Sequence, residues 1–279
     1  MLIDGKKIAA EIRADVAERV AALTAAGTAP TMAIVVATDD ESTAWYVRSL
    51  TRTATGLGID ARTIELPRDA SRDEIRTALA AASADTGVHG VICQTPLPGG
   101  LKLDEVGDAI AVEADIDGAN PLSLGRLAAG AGSAFAPATA AAVLRILAHE
   151  GVALKGRRAV VIGRSNVVGK PAALLLLDQH ATVTVCHSRT ADLPAVAREA
   201  DVLVAAVGRA KMVNADYVKP GAVVIDVGTN PTDDGGLVGD VDTDSVADVA
   251  SAVTPVPGGV GPVTTMLLMS HLVTAAERT

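Results

Sequence analysis

The sequence predicts an α/β protein of two lobes, each built on a mostly parallel sheet, and three observations support this prediction. Short runs rich in Val and Ile alternate with longer segments of helical periodicity, as in 32–37 followed by 42–58. The alternation begins a second time at Gly156, and a chain of 279 residues is long enough for two domains. Aromatic residues are almost absent, with one Phe, one Trp and two Tyr, so aliphatic side chains must form the core.

The first lobe is predicted from alternating helical and strand-like segments. In chain order we expect helix 8–26, strand 32–37, helix 42–58, strand 61–67, helix 71–84, a strand within 87–100 that ends in a proline-rich turn, and helix 138–151. Ser71 and Glu74 form a capping-box pattern at the start of one of these helices. An acid-rich loop is expected over 112–127. This order is typical of a parallel sheet with helices on its faces.

The second lobe repeats the alternation from Gly156 onwards. In chain order we expect strand 157–163, helix 166–179, strand 181–188, helix 192–200, strands 201–208 and 221–228, a surface turn over 233–242, and a Pro/Gly-rich loop that leads into a final helix. The domain limits that we predict are 1–134 together with 258–279 for one domain, and 135–257 for the other.

The composition argues against several classes of function. The net charge is −9 and no stretch is dense in Lys and Arg, which disfavours a nucleic-acid partner, although a small anion could still bind. With no long apolar window and no signal peptide, we expect a cytoplasmic protein without a membrane span. Cys93 and Cys186 lie in apolar runs and are expected to be buried reduced thiols. The five histidines show no metal-binding spacing, so no metal is expected.

A nucleotide site is indicated at the turn between strand 157–163 and the helix that follows. Gly163 lets the backbone leave the strand tightly, and Gly169 allows a close approach to the helix N-terminus, whose free N–H groups suit a pyrophosphate. The pattern is GxSxxxG rather than GxGxxG, so by itself it fits an ordinary βα loop equally well.

The choice of cofactor depends on the end of the next strand, CHSRT, which carries no acid. An acid at this point favours NAD, whereas a cation or hydroxyl favours NADP. Arg164 and Ser188 could hold a 2′-phosphate, and Arg189 is either a third contact or a solvated surface charge. The sequence therefore favours NADP, with NAD as the alternative.

Several strings along the chain resemble the motifs of one family in the same order. They are IDGKKIA (3–9), QTPLP (94–98), ADIDGANP (114–121), GRSNVVGKP (163–171), CHSRT (186–190), VGDVD (238–242) and TPVPGGVGPVT (254–264). The chain thereby resembles the bifunctional methylenetetrahydrofolate dehydrogenase/methenyltetrahydrofolate cyclohydrolase family, for which GRSxxVGxP and TPVPGGVGPMT are specific patterns.

The resemblance implies oxidation of 5,10-methylenetetrahydrofolate to the 5,10-methenyl form, with the hydride passing to NAD(P). In bifunctional members, hydrolysis to 10-formyltetrahydrofolate follows. It implies catalytic and substrate-binding roles for Tyr46, Gln94 and Asp117, and a folate contact at Pro262. The cofactor-binding residues expected from the turn and from the resemblance are Gly163, Arg164, Ser165, Gly169, His187, Ser188, Thr229 and Gly259.

The resemblance also assigns roles to the predicted domains. It implies a folate-binding catalytic domain over 1–134 and 258–279, a Rossmann-like NAD(P)-binding domain over 135–257, and a homodimer formed through the nucleotide lobe.

The residue types alone leave other interpretations open for the candidate catalytic residues. Tyr46 could be a core aromatic residue. Gln94 follows a buried strand, where either a ligand or a backbone partner would satisfy its amide. Asp117 lies near Asp115 and Glu113, where a solvated acidic loop is the default expectation, so only the resemblance selects it.

One catalytic position of the family differs in this chain. The family pattern YVxxKxKxxxxxGI aligns without a gap, and its catalytic lysine falls on Leu50, one helical turn after Tyr46. Arg48 and Arg52 do not share the helix face of Tyr46, and arginine is a poor proton shuttle because it stays protonated. A lysine from elsewhere in the chain, Lys102 for instance, could reach the site instead.

Further differences fall in the same motifs. The family's VGDDPAS is ATDDEST at 37–43, its Lys–His pair after PLP is Gly99–Gly100, its PCTP is PATA at 137–140, and its asparagine after the DVDGFHP loop is Ser123.

We therefore expect an NADP-dependent methylenetetrahydrofolate dehydrogenase with little or no cyclohydrolase activity. The alternatives are an enzyme that oxidises another one-carbon adduct, a fully bifunctional enzyme, and a non-catalytic folate- or nucleotide-binding protein.

Overall fold

The computed structural model describes residues 1–132, 134–232 and 234–279, and the chain forms two compact units. Unit 1 consists of Met1–Ala10 and Thr139–Thr264, and unit 2 of Glu11–Ala138 and Thr265–Thr279. The first helix, α1 (Gly5–Ala25), and the last, α9 (Val260–Ala276), each run from one unit into the other. Both units are α/β, as the sequence predicts.

Unit 2 contains a three-stranded parallel sheet in the order β2–β1–β3. Its elements besides α1 and α9 are β1 (Thr31–Val36), α2 (Glu41–Thr55), β2 (Asp60–Glu65), α3 (Arg72–Ala84), β3 (Gly90–Cys93) and α4 (Pro121–Ala128). The central strand β1 is buried along its whole length, as expected for an aliphatic parallel strand with helices on both faces. The predicted capping box is confirmed, since the Glu74 amide donates to the Ser71 hydroxyl and the Ser71 amide to the Glu74 carboxylate.

Helix α4 corrects the prediction of a loop over 112–127. The Asn120 side chain caps this helix by accepting a hydrogen bond from the Leu122 amide at 2.8 Å, and Pro121 occupies its first turn. A proline at the first helical position is favourable because its missing N–H would have no partner there. Asn120 followed by Pro121 is therefore typical of a helix start, although the acidic residues before it favoured the interpretation as a loop.

Unit 1 contains a five-stranded sheet in the order β10–β7–β6–β4–β5, in which all neighbouring strands are parallel. Its elements are α5 (Ala138–His149), β4 (Arg158–Ile162), α6 (Gly169–Asp178), β5 (Thr182–Cys186), α7 (Leu193–Ala197), β6 (Val202–Ala205), β7 (Val223–Asp226), β8 (Asn230–Pro231), β9 (Leu237–Val238), α8 (Thr243–Val246) and β10 (Ala252–Val253). The chain leaves β4 toward β5 and returns to β6 on the other side of β4. Ligands of such folds bind beside this reversal, at the carboxyl ends of the strands.

The segment 233–242 is only partly the surface turn that the sequence predicts. Strands β8 and β9 form an antiparallel pair around the turn, and residue 233 lies outside the described part of the chain. Asp240 and Val241 are buried, with 0% and 2% of their surface exposed. The prediction of a surface turn was therefore wrong at the end of this segment.

The cysteines are buried free thiols, as predicted. Burial raises the pKa of the Cys93 thiol to about 12 and also raises the pKa of Cys186, so both resist ionisation. Over the described ranges, no helix is both long and apolar enough to cross a membrane.

Candidate functional site

Helix α2 presents Tyr46 and Leu50 one turn apart in unit 2. Asp40 fixes the start of this helix, because its carboxylate accepts a hydrogen bond from the Thr43 amide at 2.8 Å. Tyr46 is half-buried, whereas Leu50 is only 1% exposed and is among the most buried large side chains. The position that we assign to the family lysine thus holds a fully buried apolar group.

Gln94 lies directly after β3, at the carboxyl end of the sheet. Its amide N–H donates to the Val35 carbonyl, which extends the pairing of β3 with β1. Its side-chain Nε2 donates to the Thr95 carbonyl at 2.9 Å, so a backbone partner satisfies the amide. The Thr43 hydroxyl donates to Asp40 Oδ2 at 2.9 Å and lies 3.5 Å from the same Thr95 carbonyl, so Gln94 lies next to the first turn of α2.

Asp117 lies in the loop before α4 and is half-buried. Burial raises the pKa of its carboxyl to about 7; the Ala138 N–H, 3.4 Å from Oδ1, opposes this rise, and the charge of Asp115 adds to it. Burial, and then the charge of Asp117, raise the pKa of the Tyr46 phenol to about 12. The structure therefore brings Tyr46 and Asp117 within electrostatic range, and it keeps the phenol neutral at physiological pH.

Asp115 corrects the expectation of a solvated acidic loop, because it is fully buried. Its carboxylate accepts hydrogen bonds from the amides of Ala119 (2.7 Å) and Asn120 (2.9 Å), and from the Ser123 hydroxyl (2.5 Å). Burial nevertheless raises the pKa of this carboxyl. Asp115 and Ser123 thus hold the loop that carries Asp117, whereas Glu113 is exposed as expected.

The basic residues near Leu50 in sequence lie elsewhere. Arg48 and Arg52 are exposed and line a surface cavity of about 750 Å³ against β2, whose lining includes neither Tyr46 nor Leu50. Lys102 is also exposed, and its backbone amide donates to the Glu105 carboxylate at 2.8 Å. The helix face shared by Tyr46 and Leu50 therefore receives no cation from α2 itself.

The turn after β4 in unit 1 depends on two glycines. Gly163 has φ +132°, and a Cβ there would overlap the Ala206 carbonyl. Gly169 begins α6, and a Cβ there would overlap the Gly163 carbonyl. The Ser165 hydroxyl accepts hydrogen bonds from the amides of Val168 (3.1 Å) and Gly169 (3.4 Å). The backbone is thus drawn into a compact loop at the N-terminus of α6, where the Lys170 amide also donates to the Ser165 carbonyl at 3.0 Å. Ser165 therefore occupies the first N–H groups of the helix, and it is the positive end of the helix dipole that favours a pyrophosphate here.

The predicted 2′-phosphate contacts lie on exposed turns of unit 1. Arg164 is exposed, and its guanidinium has no hydrogen-bond partner within the described ranges. After β5, the His187 amide donates to the Thr190 hydroxyl at 2.9 Å, and the Arg189 amide donates to His187 Nδ1 at 3.1 Å. This turn leaves the side chains of Ser188 and Arg189 exposed, so they are available to a ligand.

Three further predicted residues lie in unit 1 after β7 and β10. Thr229 is exposed, Gly259 is buried, and Pro262 is half-buried in the first turn of α9. A Cβ on Gly259 would lie 2.5 Å from the Pro255 carbonyl oxygen, so this loop requires glycine.

Two buried aspartates, which the sequence did not single out, organise the loops at the carboxyl end of this sheet. The Asp240 carboxylate accepts hydrogen bonds from the amides of Val207 (2.6 Å), Gly208 (3.0 Å) and Arg209 (2.8 Å). Asp226 accepts hydrogen bonds from the amides of Gly228, Asp240 and Val241. Burial raises the pKa of Asp226 to about 6, the three N–H donors oppose this rise, and Asp240 adds to it.

Comparison with known proteins adds independent information. Residues 3–117 match the model of the tetrahydrofolate dehydrogenase/cyclohydrolase catalytic domain, and residues 137–279 match that of the NAD(P)-binding domain of the same family. The bifunctional protein FolD of Nocardia farcinica is 56% identical over 276 residues, which cover 99% of this chain and 97% of the relative.

Two solved structures resemble the whole chain. The bifunctional FolD enzyme of Campylobacter jejuni is 36% identical with a TM-score of 0.96, and the match covers 100% of this chain and 99% of that one. The Trypanosoma brucei methylenetetrahydrofolate dehydrogenase–cyclohydrolase, solved with NADP and an inhibitor, is 34% identical with a TM-score of 0.94, over 100% and 97% of the two chains.

Proposed function

The chain belongs to the tetrahydrofolate dehydrogenase/cyclohydrolase family, and on this basis we propose that it oxidises 5,10-methylenetetrahydrofolate to the 5,10-methenyl form with NADP, and hydrolyses the product weakly or not at all. The observation that carries the second half of the proposal is the burial of Leu50, one helical turn from Tyr46. Leucine has no proton to exchange.

The folate would bind to unit 2 through Tyr46, Gln94 and Asp117. An ionised Asp117 can accept hydrogen bonds from the N–H groups of the pterin ring, and the neutral Tyr46 offers an aromatic face and a hydroxyl. Gln94 can exchange its bond to the Thr95 carbonyl for one to a ligand. Pro262, in the first turn of α9, is a proposed folate contact that rests on the resemblance alone.

The nucleotide turn fits a dinucleotide because Gly163 and Gly169 leave no room for side chains and the positive end of the α6 dipole lies at this turn. We assign the pyrophosphate to this turn, including Ser165. Arg164 and Ser188 would hold the 2′-phosphate, while His187, Thr229 and Gly259 would line the remaining site. NADP, when bound, supplies a hydride acceptor. The alternative cofactor is NAD, which has no 2′-phosphate and would leave Arg164 and Ser188 without this ligand.

The two half-reactions depend differently on a titratable group at position 50. Loss of hydride from the methylene carbon is assisted by a nitrogen lone pair and leaves an iminium-like cation, so no proton needs to move and positioning dominates. Hydrolysis requires water to lose a proton and a ring nitrogen to gain one. General acid–base assistance of this kind contributes about 10²–10⁴-fold. Leu50 therefore affects the hydrolysis and spares the oxidation.

Specific observations favour two alternatives. The similarity to bifunctional relatives favours a fully bifunctional enzyme. Gly99–Gly100 and Ser123, at positions where we expect other residues in the family, favour a substrate other than the folate, such as a methylene group carried on another amine.

The test is a paired assay of both half-reactions on the wild type, Leu50→Lys and Leu50→Met. We expect NADPH formation from 5,10-methylenetetrahydrofolate in all three, and methenyl hydrolysis about 10²–10⁴-fold faster in Leu50→Lys than in the wild type. Leu50→Met replaces the leucine with an unbranched side chain that has no charge. Comparison with Leu50→Lys therefore isolates the effect of the lysine ammonium. Arg48→Lys is the matched control, because it adds a lysine on the exposed side of the same helix.

Each alternative gives a different result. Strong enzymatic hydrolysis by the wild type would contradict the loss of cyclohydrolase activity and support the bifunctional alternative. Tight NADP binding without NADPH formation from the folate would point to another adduct.

We also infer a homodimer formed through unit 1 and a cytoplasmic location. Exposed Leu177 and Val185, on α6 and on the edge strand β5, support the interface. Two free cysteines are typical of a reducing compartment and support the location.

A further inference from the structure

His271 links the C-terminal helix to the loop that carries Asp117. It lies on α9 in the part that belongs to unit 2, and its Nδ1 is 2.8 Å from the Ile116 carbonyl oxygen. A carbonyl can only accept, so Nδ1 carries the proton. Burial, and then the positive charge of Arg278, lower the pKa of this imidazole, while the bond to Ile116 opposes the shift. The ring is therefore neutral with its proton on Nδ1.

The imidazole is held in place by its neighbours. The centroids of the imidazole and the Phe135 ring are 5.0 Å apart, and the two planes are tilted by 32°. The Arg278 guanidinium lies over the Phe135 ring, 4.7 Å from its centroid. The next residue, Leu272, packs with Ile116 over Gly90 of β3, where a Cβ would lie 2.7–2.8 Å from both side chains. Rotation of the imidazole away from Ile116 would disturb its contact with the Phe135 ring.

The bond acts on the peptide group between Ile116 and Asp117. The orientation of that peptide plane sets the φ angle of Asp117, and hence the point from which its carboxylate projects. Asp115 holds the loop from within, and Ala138 contacts Asp117 Oδ1 from the start of α5. His271 is the contact that reaches the peptide next to Asp117 from the opposite end of the chain.

We propose that His271 is a positioning residue for Asp117, which it orients through the Ile116 carbonyl. This inference rests on the proposed function wherever turnover is the readout. It adds a requirement to the site, since the folate-binding carboxylate would depend on a hydrogen bond from α9.

The kinetic test compares His271→Leu, which removes the donor, with His271→Asn, whose amide can donate from nearly the same position. We expect His271→Leu to raise the KM for 5,10-methylenetetrahydrofolate about fivefold to tenfold and to leave the KM for NADP within about twofold. His271→Asn should restore the folate KM to near the wild-type value. Phe135→Leu, which loosens packing and keeps the donor, is the control and should have the smaller effect.

Two NMR measurements need no turnover and keep the proposal testable if a variant folds poorly. The ¹⁵N shifts of His271 in the wild type should show the Nδ1–H tautomer. The ¹³C titration of Asp117, assigned with Asp117→Asn, should move toward an ordinary carboxyl pKa in His271→Leu, because the freed loop exposes the carboxylate. The titratable groups near Asp117 are Asp115 and Tyr46, and the charged group near His271 is Arg278.

An Nε2–H tautomer would overturn the proposal. So would an unchanged Asp117 titration in a folded His271→Leu, or a folate KM for His271→Asn as high as that for His271→Leu. If the wild type forms no NADPH from the folate, the proposed function fails, and the Asp117 titration alone decides the positioning role.

Discussion

The Asp117 carboxyl changes its ionisation within the pH range in which we expect the enzyme to work. Its pKa is raised to about 7, so the carboxyl is protonated below that pH and ionised above it. The ionised form accepts hydrogen bonds from pterin N–H groups. With NADP saturating, we therefore expect kcat/KM for the folate to rise about tenfold between pH 6 and pH 8.

The control for this profile is Asp117→Asn, which cannot ionise. It should lose about 10–150-fold in kcat/KM, as expected for a hydrogen bond to a charged group, and its remaining activity should not vary with pH over this range. A wild-type profile that is flat from pH 6 to pH 8 would contradict the role assigned to the carboxylate.

Ser123 is expected to stabilise the Asp117 loop through Asp115. Ser123→Ala leaves the buried Asp115 carboxylate without its 2.5 Å hydrogen bond, which should lower the free energy of unfolding by about 1–3 kcal/mol. Urea unfolding measures this loss. Ser49→Ala, a substitution of the same type on α2, should change stability by less than about 0.5 kcal/mol. If Ser123→Ala and Ser49→Ala lowered the free energy of unfolding equally, the hydrogen bond from Ser123 to Asp115 would contribute nothing to stability.

At the residue scale, sequence motifs suggested Tyr46, Gln94 and Asp117, but not the residues that hold them. Asp115 was expected in a solvated loop, and its burial depends on amides and a hydroxyl that only the folded loop brings to it. The Asp240 carboxylate accepts hydrogen bonds from amides about thirty residues earlier in the chain, and no local sequence pattern predicts a contact over that separation. Composition cannot distinguish such buried carboxylates from exposed ones.

At the scale of elements, the approach of α6 to β4 gives a further prediction. Gly169→Ala places a methyl group against the Gly163 carbonyl, so the helix must shift away from the turn. We expect a loss of about 1–3 kcal/mol in stability and weaker NADP binding, measured by thermal unfolding and by titration of NADPH fluorescence.

Gly125→Ala is the matched control, because Gly125 lies in α4 with open space around it. It should raise stability by about 0.5–1 kcal/mol and leave NADP binding unchanged. NADP affinity in Gly169→Ala equal to that of the wild type would contradict the close fit assigned to this turn.

Helices and strands were predictable where periodicity was long and unmixed. The alternation located β1 and α3, and the capping box located the start of α3. Helix α4 was missed because its eight residues are too few for a clear period and follow a run of acids. Side-chain contacts with distant backbone, as at Asp240, bury segments that look like turns in the sequence.

At the scale of the whole molecule, the proposed dimer makes a prediction about apolar surface. Leu177 and Val185 are 56% and 42% exposed in unit 1. The double variant Leu177→Asp/Val185→Lys should sediment as a monomer, because it places charges on the proposed interface. Leu122→Asp, at a leucine of unit 2 that is 54% exposed, is the control and should remain a dimer. A wild type that sediments as a monomer would contradict the dimer itself.

The interleaving of the two units has a consequence for synthesis. Glu11–Ala138 leaves the ribosome early, yet unit 2 also needs Thr265–Thr279, which places Leu272 over Gly90 and His271 on Ile116. At about 5–20 residues per second, the nascent sheet waits roughly 6–25 s for that helix. During this interval its apolar face is open to chaperones and to neighbouring nascent chains, so the yield of folded protein should depend on translation speed after residue 138.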